Sequence, residues 1–255
     1  MFGFDTLDFS KKIFICASGG RDSTAMALAL KDYSPSSLGN ISLLWENTRV
    51  TKLSARKTLE RLADYTGFPL IEVRYEGKEK PIQILKESFK QIPKALEHVE
   101  LGKKSYKKFF RCCDVLKKQP SKDFISQFEK DEIILFLGFK AGDKALHRVY
   151  RMSELRGWDT FYRRKKDGYL YFYPLRDCQE KDIETILKHH EFESTKSSGC
   201  TMCPVFCVAD WDKKDPETAR RSKALAKRLG IDLRAENQRS ILEFCSGGVE
   251  GEEAV

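Results

Sequence analysis

The chain has 255 residues, 41% of them apolar and 33% charged, with a net charge of +8. That length buries a substantial core in a soluble globular protein, and the positive balance suits an anionic partner such as a nucleotide or a nucleic acid. The longest apolar run, Ile133 to Phe139, is too short to cross a bilayer and no N-terminal segment has signal-peptide order, so a cytoplasmic protein without a membrane partner is expected.

In chain order, "KKIFICAS" reads as an apolar strand and "DSTAMALALKDY" as the helix that follows a glycine turn. "ISLLWENT" is a second strand, "VTKLSARKTLERLADYTG" an amphipathic helix closed by a glycine, and "PLIEVRY" a third strand. A helix around Pro81 to Lys90 leads into a polar, lysine-rich stretch through Lys108. "SKDFISQFEK" is helical, "EIILFLGF" a fourth, buried strand, "GYLYFYPL" a fifth strand and "CQEKDIETILKHH" another helix. This alternation predicts an α/β fold, Rossmann-like, with a mostly parallel five-stranded sheet covered by helices on both faces. In such sheets ligands bind beyond the carboxyl ends of the strands. After Glu191 the character changes to a cysteine-bearing loop, "STKSSGCTMCPVFC", two short charged helices and a polar tail. No repeat or long linker intervenes, so the expected division is an α/β domain over 1–192 and a C-terminal extension over 193–255.

The turn after the first strand, "SGGRDS" from Ser18 to Ser23, has the makings of an anion site. Glycines let backbone amides converge on a phosphate, and the following helix adds its positive end. The hydroxyls of Ser18 and Ser23 and the amides of Gly19 and Gly20 can donate, and Arg21 can add charge. Asp22 can cap the helix or help hold Mg²⁺. Neither the Walker pattern nor the dinucleotide Gly-x-Gly-x-x-Gly is present. Of the eight cysteines, Cys16 and Cys178 read as small buried residues. Clustered cysteines in a reducing compartment point to metal or catalysis rather than disulfides.

"SGGRDS" resembles the pyrophosphate loop, Ser-Gly-Gly-x-Asp-Ser, of the adenine nucleotide alpha-hydrolase (PP-loop ATP pyrophosphatase) superfamily. "RCCDVLKKQP", Arg111 to Pro120, is similar to the Cys-Cys-x-x-Arg-Lys-x-x-Pro segment of the phosphoadenosine phosphosulfate (PAPS) reductase family, with Leu116 in place of the arginine. "YPLRDCQEKDI", Tyr173 to Ile183, resembles that family's Pro-Leu-x-Asp-Trp segment, with Cys178 in place of the tryptophan. "ENT", Glu46 to Thr48, falls where the family ends its second strand beside the nucleotide. The resemblance runs from about Lys12 to Cys203 and implies a HUP-type fold that binds an adenine nucleotide: ATP, PAPS or adenylyl sulfate (APS). It places Ser18, Gly19, Gly20, Arg21, Asp22, Ser23 and Thr48 around that nucleotide, with Asp22 and Lys117 in catalysis. "LGFKAGDKALHRV" occupies the position of a family segment that contacts phosphate or sulfate. Lys140, Lys144 and Arg148 are then candidate anion contacts and Asp143 a candidate acid, against a solvated helix face. His147 is a surface residue or a proton donor. His189 and His190 sit in a last helical turn, where histidine interacts with the dipole, and His98 has no partner in view.

The pair Cys112–Cys113 with a distant Cys200-x-x-Cys203 resembles the [4Fe–4S] ligand pattern of the APS reductases. Four thiolates also suit tetrahedral zinc. Adjacent cysteines are awkward on one small ion but reach two irons of a cluster, which favours the cluster. Cys207 is a spare ligand or packs under the loop. Reductases of this family attack the sulfate sulfur with a cysteine near the C-terminus, and Cys245 in "EFCSGG" is the candidate, although the reductase tail Glu-Cys-Gly-Leu/Ile-His is missing. ATP-using relatives that put sulfur into DNA or tRNA keep the intact loop, which favours Mg²⁺-dependent adenylation and sulfur transfer to a nucleic acid or small acceptor. The resemblance implies a thioredoxin-like reductant for the first chemistry and a cysteine desulfurase for the second. Flavin adenylyl transfer would leave the four cysteines without a role. A non-enzymatic, metal-containing nucleic-acid-binding module would have no need of the loop.

Overall fold

Strand β1 (Lys12–Cys16) lies inside a parallel ladder, hydrogen-bonded to β2 (Ile41–Asn47) on one side and β4 (Ile133–Phe136) on the other. The computed structural model describes residues 2–33, 38–103, 106–140, 143, 161–164, 167–194, 199–208 and 215–233. With β3 (Leu70–Arg74), β5 (Phe161–Arg163) and β6 (Leu170–Phe172) the sheet has, among the described residues, six strands in the order β3-β2-β1-β4-β6-β5. Five run parallel, as the alternating strand and helix signals predict, and β5 is added antiparallel to β6 at the edge. β5 is three residues long and reads Phe-Tyr-Arg, too short to carry a periodic signal. The helices are α1 (Arg21–Tyr33), α2 (Leu53–Thr66), α3 (Pro81–Phe89), α4 (Ile92–Glu100), α5 (Arg111–Cys113), α6 (Gln119–Ile125), α7 (Glu180–His189) and α8 (Pro216–Arg228). A π-helical stretch, Asp114–Lys118, joins α5 to α6. None of the described helices is long and apolar enough to cross a membrane.

Packing groups the chain into two units. The first comprises Met1–Asn47, Thr51–Arg74 and Pro120–Ser198, and holds the whole sheet. Alternation along β1 sends Ile13 and Ile15 to one face and Phe14 to the other. Ile13 and Ile15 join Leu43, Trp45, Ile134, Phe136 and Phe172 under α1, α2 and α7. Phe14 joins Leu44, Val73, Ile133, Leu135 and Tyr171, packed against Phe124 of α6 and Phe128. Both faces are covered, so the central strands are apolar throughout, and α1 is buried continuously from Ser23 to Leu30.

The second unit comprises Thr48–Val50, Tyr75–Gln119 and Gly199–Val255. The segment that begins at Gly199, part of the expected 193–255 extension, is grouped by its packing with Thr48–Val50 and Tyr75–Gln119. Val205, Val208, Leu225 and Ala226 complete a core with Ile84, Leu85, Phe89, Phe110 and Leu116, which neither segment could bury by itself. The stretch read as polar up to Lys108 contains the amphipathic helix α4, with Ile92, Ala95 and Leu96 inward. Pro93 near its start and the charged Lys94, Glu97 and Glu100 on its outer face mask that period. Cys178 is buried as expected, whereas Cys16, at the carboxyl end of β1, is half-buried because the strand ends there.

Phe136 is fully buried, stacked on Phe4 with centroids 6.4 Å apart and tilted against Phe172 at 4.8 Å. Phe136→Ala is expected to destabilise the protein by about 3–5 kcal/mol, read as a lower denaturant midpoint at unchanged slope.

Candidate functional site

The loop at the end of β1 is built within the first unit. Ala17 continues the ladder by donating to the Leu44 carbonyl at 2.9 Å, after which the chain turns away. Gly19 takes φ +74, and a Cβ there would stand 2.5 Å from the Ala55 carbonyl oxygen, so only glycine fits. Ser23, in the first turn of α1, accepts from the Ser18 amide at 3.2 Å and donates to the Gly20 carbonyl at 3.1 Å. The Ser18 and Ser23 hydroxyls are 3.3 Å apart, and the Gly20 amide donates to Ser18 Oγ at 3.4 Å. The donors named from the sequence thus converge on one turn at the N-terminus of a thirteen-residue helix.

The charges around this turn are paired. Lys140 Nζ lies 2.8 Å from Asp22 Oδ2, 3.5 Å from Glu180 and 4.0 Å from Asp143. Burial works against the Lys140 ammonium, but its bond to Asp22 and the neighbouring carboxylates outweigh it, so its pKa is raised. Asp143 also accepts from the Lys140 amide at 2.9 Å. Arg21, expected at the anion, bridges to Glu180 at 2.6 Å and Glu184 at 3.1 Å on α7. Its position as the first residue of α1 turns it toward that helix. Arg148, Lys144 and His147 lie outside the described residues, as does Cys245.

The cysteines form a second constellation, within the second unit. Cys112 and Cys113 lie in α5, and Cys203 leads into a short 3₁₀ turn, Pro204–Cys207. Cys112 is buried, while Cys113, Cys200, Cys203 and Cys207 are half-buried. Cys113 is electrostatically coupled to Cys200 and Cys203, and Cys112 to Cys203. A hydrogen bond from Cys112, helped by Lys117 and Lys118, holds the Cys113 thiol down at about 6 against its burial. Its neighbour Cys112 moves far upward, because it is the proton-bearing partner. Burial pushes Cys203 up to about 12 and raises Cys200 as well. Lys117, expected in catalysis, is exposed and acts on Cys113 and Cys200 through its charge. Cys207 packs at the edge of the apolar core.

Thr48, expected beside the nucleotide, places its hydroxyl 3.2 Å from Cys200 Sγ. Two buried serines, not singled out in the sequence, also serve this constellation. The Cys112 amide donates to Ser88 Oγ at 2.9 Å, and the Cys203 amide to Ser222 Oγ at 2.7 Å. A hydroxyl on the apolar face of an amphipathic helix, as at Ser88 in α3 and Ser222 in α8, is the signal that would have pointed to them.

Four cysteine thiols within one unit fit a thiolate-bound metal centre, and their chemistry suits either a [4Fe–4S] cluster or tetrahedral zinc. Among the described residues, the His, Cys or carboxylate ligand atoms that lie in threes within 4.8 Å of one another are those of Asp32, His189 and His190.

No protein-family model and no curated protein sequence matches the chain. Among solved structures, the phosphate complex of phosphoadenylyl-sulfate (PAPS) reductase from Candida auris is similar at a TM-score of 0.51 and 8% identity, over 76% of this chain and 79% of that one. The U34-tRNA thiolase NcsA from Methanococcus maripaludis, solved with its [4Fe-4S] cluster, aligns at a TM-score of 0.46 and 15% identity, over 100% and 86%. The NH3-dependent NAD synthetase from Campylobacter jejuni subsp. jejuni aligns at 0.37 and 13% identity, over 99% and 93%. The last two scores are too low to bear on this chain. With its parallel sheet, the strand order around β1 and the glycine turn at the carboxyl end of β1, the chain shares an α/β, Rossmann-like fold with this PAPS reductase.

Proposed function

We propose that the protein is an ATP-dependent sulfur-transfer enzyme, binding Mg²⁺ and ATP at the Ser18–Ser23 loop and modifying a nucleic acid or a small acceptor. The single observation that carries this reading is the loop itself, intact in sequence and closed by Gly19 against Ala55. In this reading the Gly20 amide and the Ser18 and Ser23 hydroxyls donate to pyrophosphate oxygens, and the N-terminus of α1 adds its dipole. An acceptor oxygen attacks the α-phosphorus of ATP, pyrophosphate leaves, and sulfur then displaces AMP. Charge balance supports a metal-bearing triphosphate. Asp22, Asp143, Glu180 and Glu184 outnumber Arg21 and Lys140 among the described residues of this network, so a bare polyanion would meet repulsion that a divalent cation removes.

Cys112, Cys113, Cys200 and Cys203 would hold a [4Fe–4S] cluster, which when bound supplies a site for sulfur or electron transfer. A cysteine desulfurase is the fitting class of sulfur donor, and tRNA or DNA the fitting acceptor for a chain of net charge +8. The second reading is thiol-dependent reduction of PAPS or APS to sulfite with a thioredoxin-like reductant, and the fold shared with a PAPS reductase speaks for it. There Cys245 would attack the sulfate sulfur, forming a thiosulfonate and releasing the nucleotide.

Three outcomes test these assignments. ATP should bind with Mg²⁺ and far more weakly in its absence, and Asp22→Ala and Ser23→Ala should each lower AMP formation by roughly a hundredfold or more while circular dichroism shows a retained fold. Unchanged turnover in both variants rules out the loop assignment. Anaerobic reconstitution should give a brown protein with about four irons per chain, lost in Cys200→Ala; stoichiometric zinc with no iron sinks the cluster. Cys245→Ser should leave cleavage of ATP to AMP and pyrophosphate intact, and a sulfonate adduct on Cys245 after exposure to PAPS or APS would establish the reductase instead.

A further inference from the structure

The carbonyl ends of two long helices meet on the first unit, away from any role assigned so far. Asp32 lies in the last turn of α1, His189 is the last residue of α7, and His190 is its C-cap. His190 Nε2 stands 3.0 Å from Asp32 Oδ2, and its Nδ1 stands 3.1 Å from the hydroxyl of Tyr65 at the end of α2. The His190 side chain is 6% exposed, whereas Asp32 and His189 are open to solvent. One ligand atom from each of Asp32, His189 and His190 lies within 4.8 Å of the other two. Adjacent side chains on a helix normally diverge by about 100°. Here the chain leaves the helix at His190 and reverses at Glu191, which takes φ 49 and whose carbonyl accepts from Arg61 at 3.3 Å. The two imidazoles thereby converge, with centroids 5.0 Å apart.

We propose that Asp32, His189 and His190 form a binding site for a divalent transition-metal ion of the zinc class. Two imidazoles and one carboxylate suit such an ion, and three protein ligands leave a fourth position for water or an exogenous ligand. Bonds of about 2.0–2.2 Å at tetrahedral angles place nitrogen and oxygen about 3.4 Å apart, so the His190–Asp32 pair opens by only a few tenths of an ångström. Tyr65 supplies the outer contact that a ligating histidine needs. Its hydroxyl accepts from Nδ1–H and leaves the Nε2 lone pair for the metal. The partial negative charge at the ends of α1 and α7 favours a cation at this place. A plain Asp32–His190 ion pair would tie the helices together but would give the convergence of His189 no part.

The site is independent of the cysteines and of the proposed reaction, and cobalt tells the two ligand sets apart. Thiolate-bound Co²⁺ shows intense sulfur-to-metal charge transfer, whereas imidazole and carboxylate ligands give d–d bands alone. Titrating the full-length, reduced protein with Co²⁺ should reveal one equivalent with d–d bands and no thiolate charge transfer. That component should disappear in His189→Ala and in Asp32→Asn, and weaken about tenfold in Tyr65→Phe. His189 is exposed, so its removal leaves the fold intact, and Zn²⁺ should raise the thermal midpoint of the unsubstituted protein but not of His189→Ala. Superimposable cobalt titrations of the unsubstituted protein and His189→Ala, or a cobalt signal made up of thiolate-bound metal alone, overturn the proposal.

Discussion

The turn after β1 depends on the approach of Gly19 to the backbone of α2. With no Cβ, Gly19 accepts a left-handed φ of +74 and sits against the Ala55 carbonyl, where any side chain would collide at 2.5 Å. From the other side, Gly138 after β4 comes close to the start of α1, with its Cβ position 3.4 Å from the Asp22 carbonyl carbon and the Ser23 nitrogen. The first turn of α1 is therefore held between two backbones rather than by flexible side chains. This is the kind of preorganisation an anion site needs, because its amides face the ligand before the ligand arrives. The place is set by topology: after β1 the chain goes to β2 on one side, and after β4 it goes to the β6 side, so the connections leaving these two neighbouring strands part in opposite directions.

Much of this architecture was legible because parallel strands buried on both faces are apolar throughout. "KKIFICAS", "ISLLWENT" and "EIILFLGF" contain β1, β2 and β4, and "VTKLSARKTLERLADYTG" contains α2, with Gly67 closing it at φ 75. What escaped is short or depends on contacts distant in sequence. β5 has three residues and takes its identity from β6. The grouping of Gly199 onward with Tyr75–Gln119 arises from complementary apolar faces, which no local period encodes. At the site, the loop donors were readable because glycine and hydroxyl residues at fixed spacing have a local physical meaning. The partners of Arg21 and Thr48 were not, since each is settled by a residue more than 150 positions away: Glu184 for the arginine and Cys200 for the threonine.

The cysteine constellation sets burial against charge. Thiols are easily kept among Phe89, Phe110, Val205 and Leu225 only while they are neutral, and burial accordingly raises Cys200 and Cys203. A metal bound there would need them as thiolates, and its assembly would expel protons from an apolar pocket. The chain lowers that barrier at particular points. Cys113 is held low by its neighbour Cys112 and by two lysines, and it offers the first anionic sulfur. Thr48 stands within hydrogen-bond distance of the Cys200 sulfur, and the amides of Cys112 and Cys203 are fixed by buried serines so that the sulfurs keep their places. The π-helical stretch beginning at Asp114 alters the side-chain phase and carries Lys117 along the cysteine-bearing run. A pocket with one readily ionised sulfur and a hydroxyl beside another is one in which a thiolate-bound metal would displace protons as it binds, so its uptake would be favoured as pH rises.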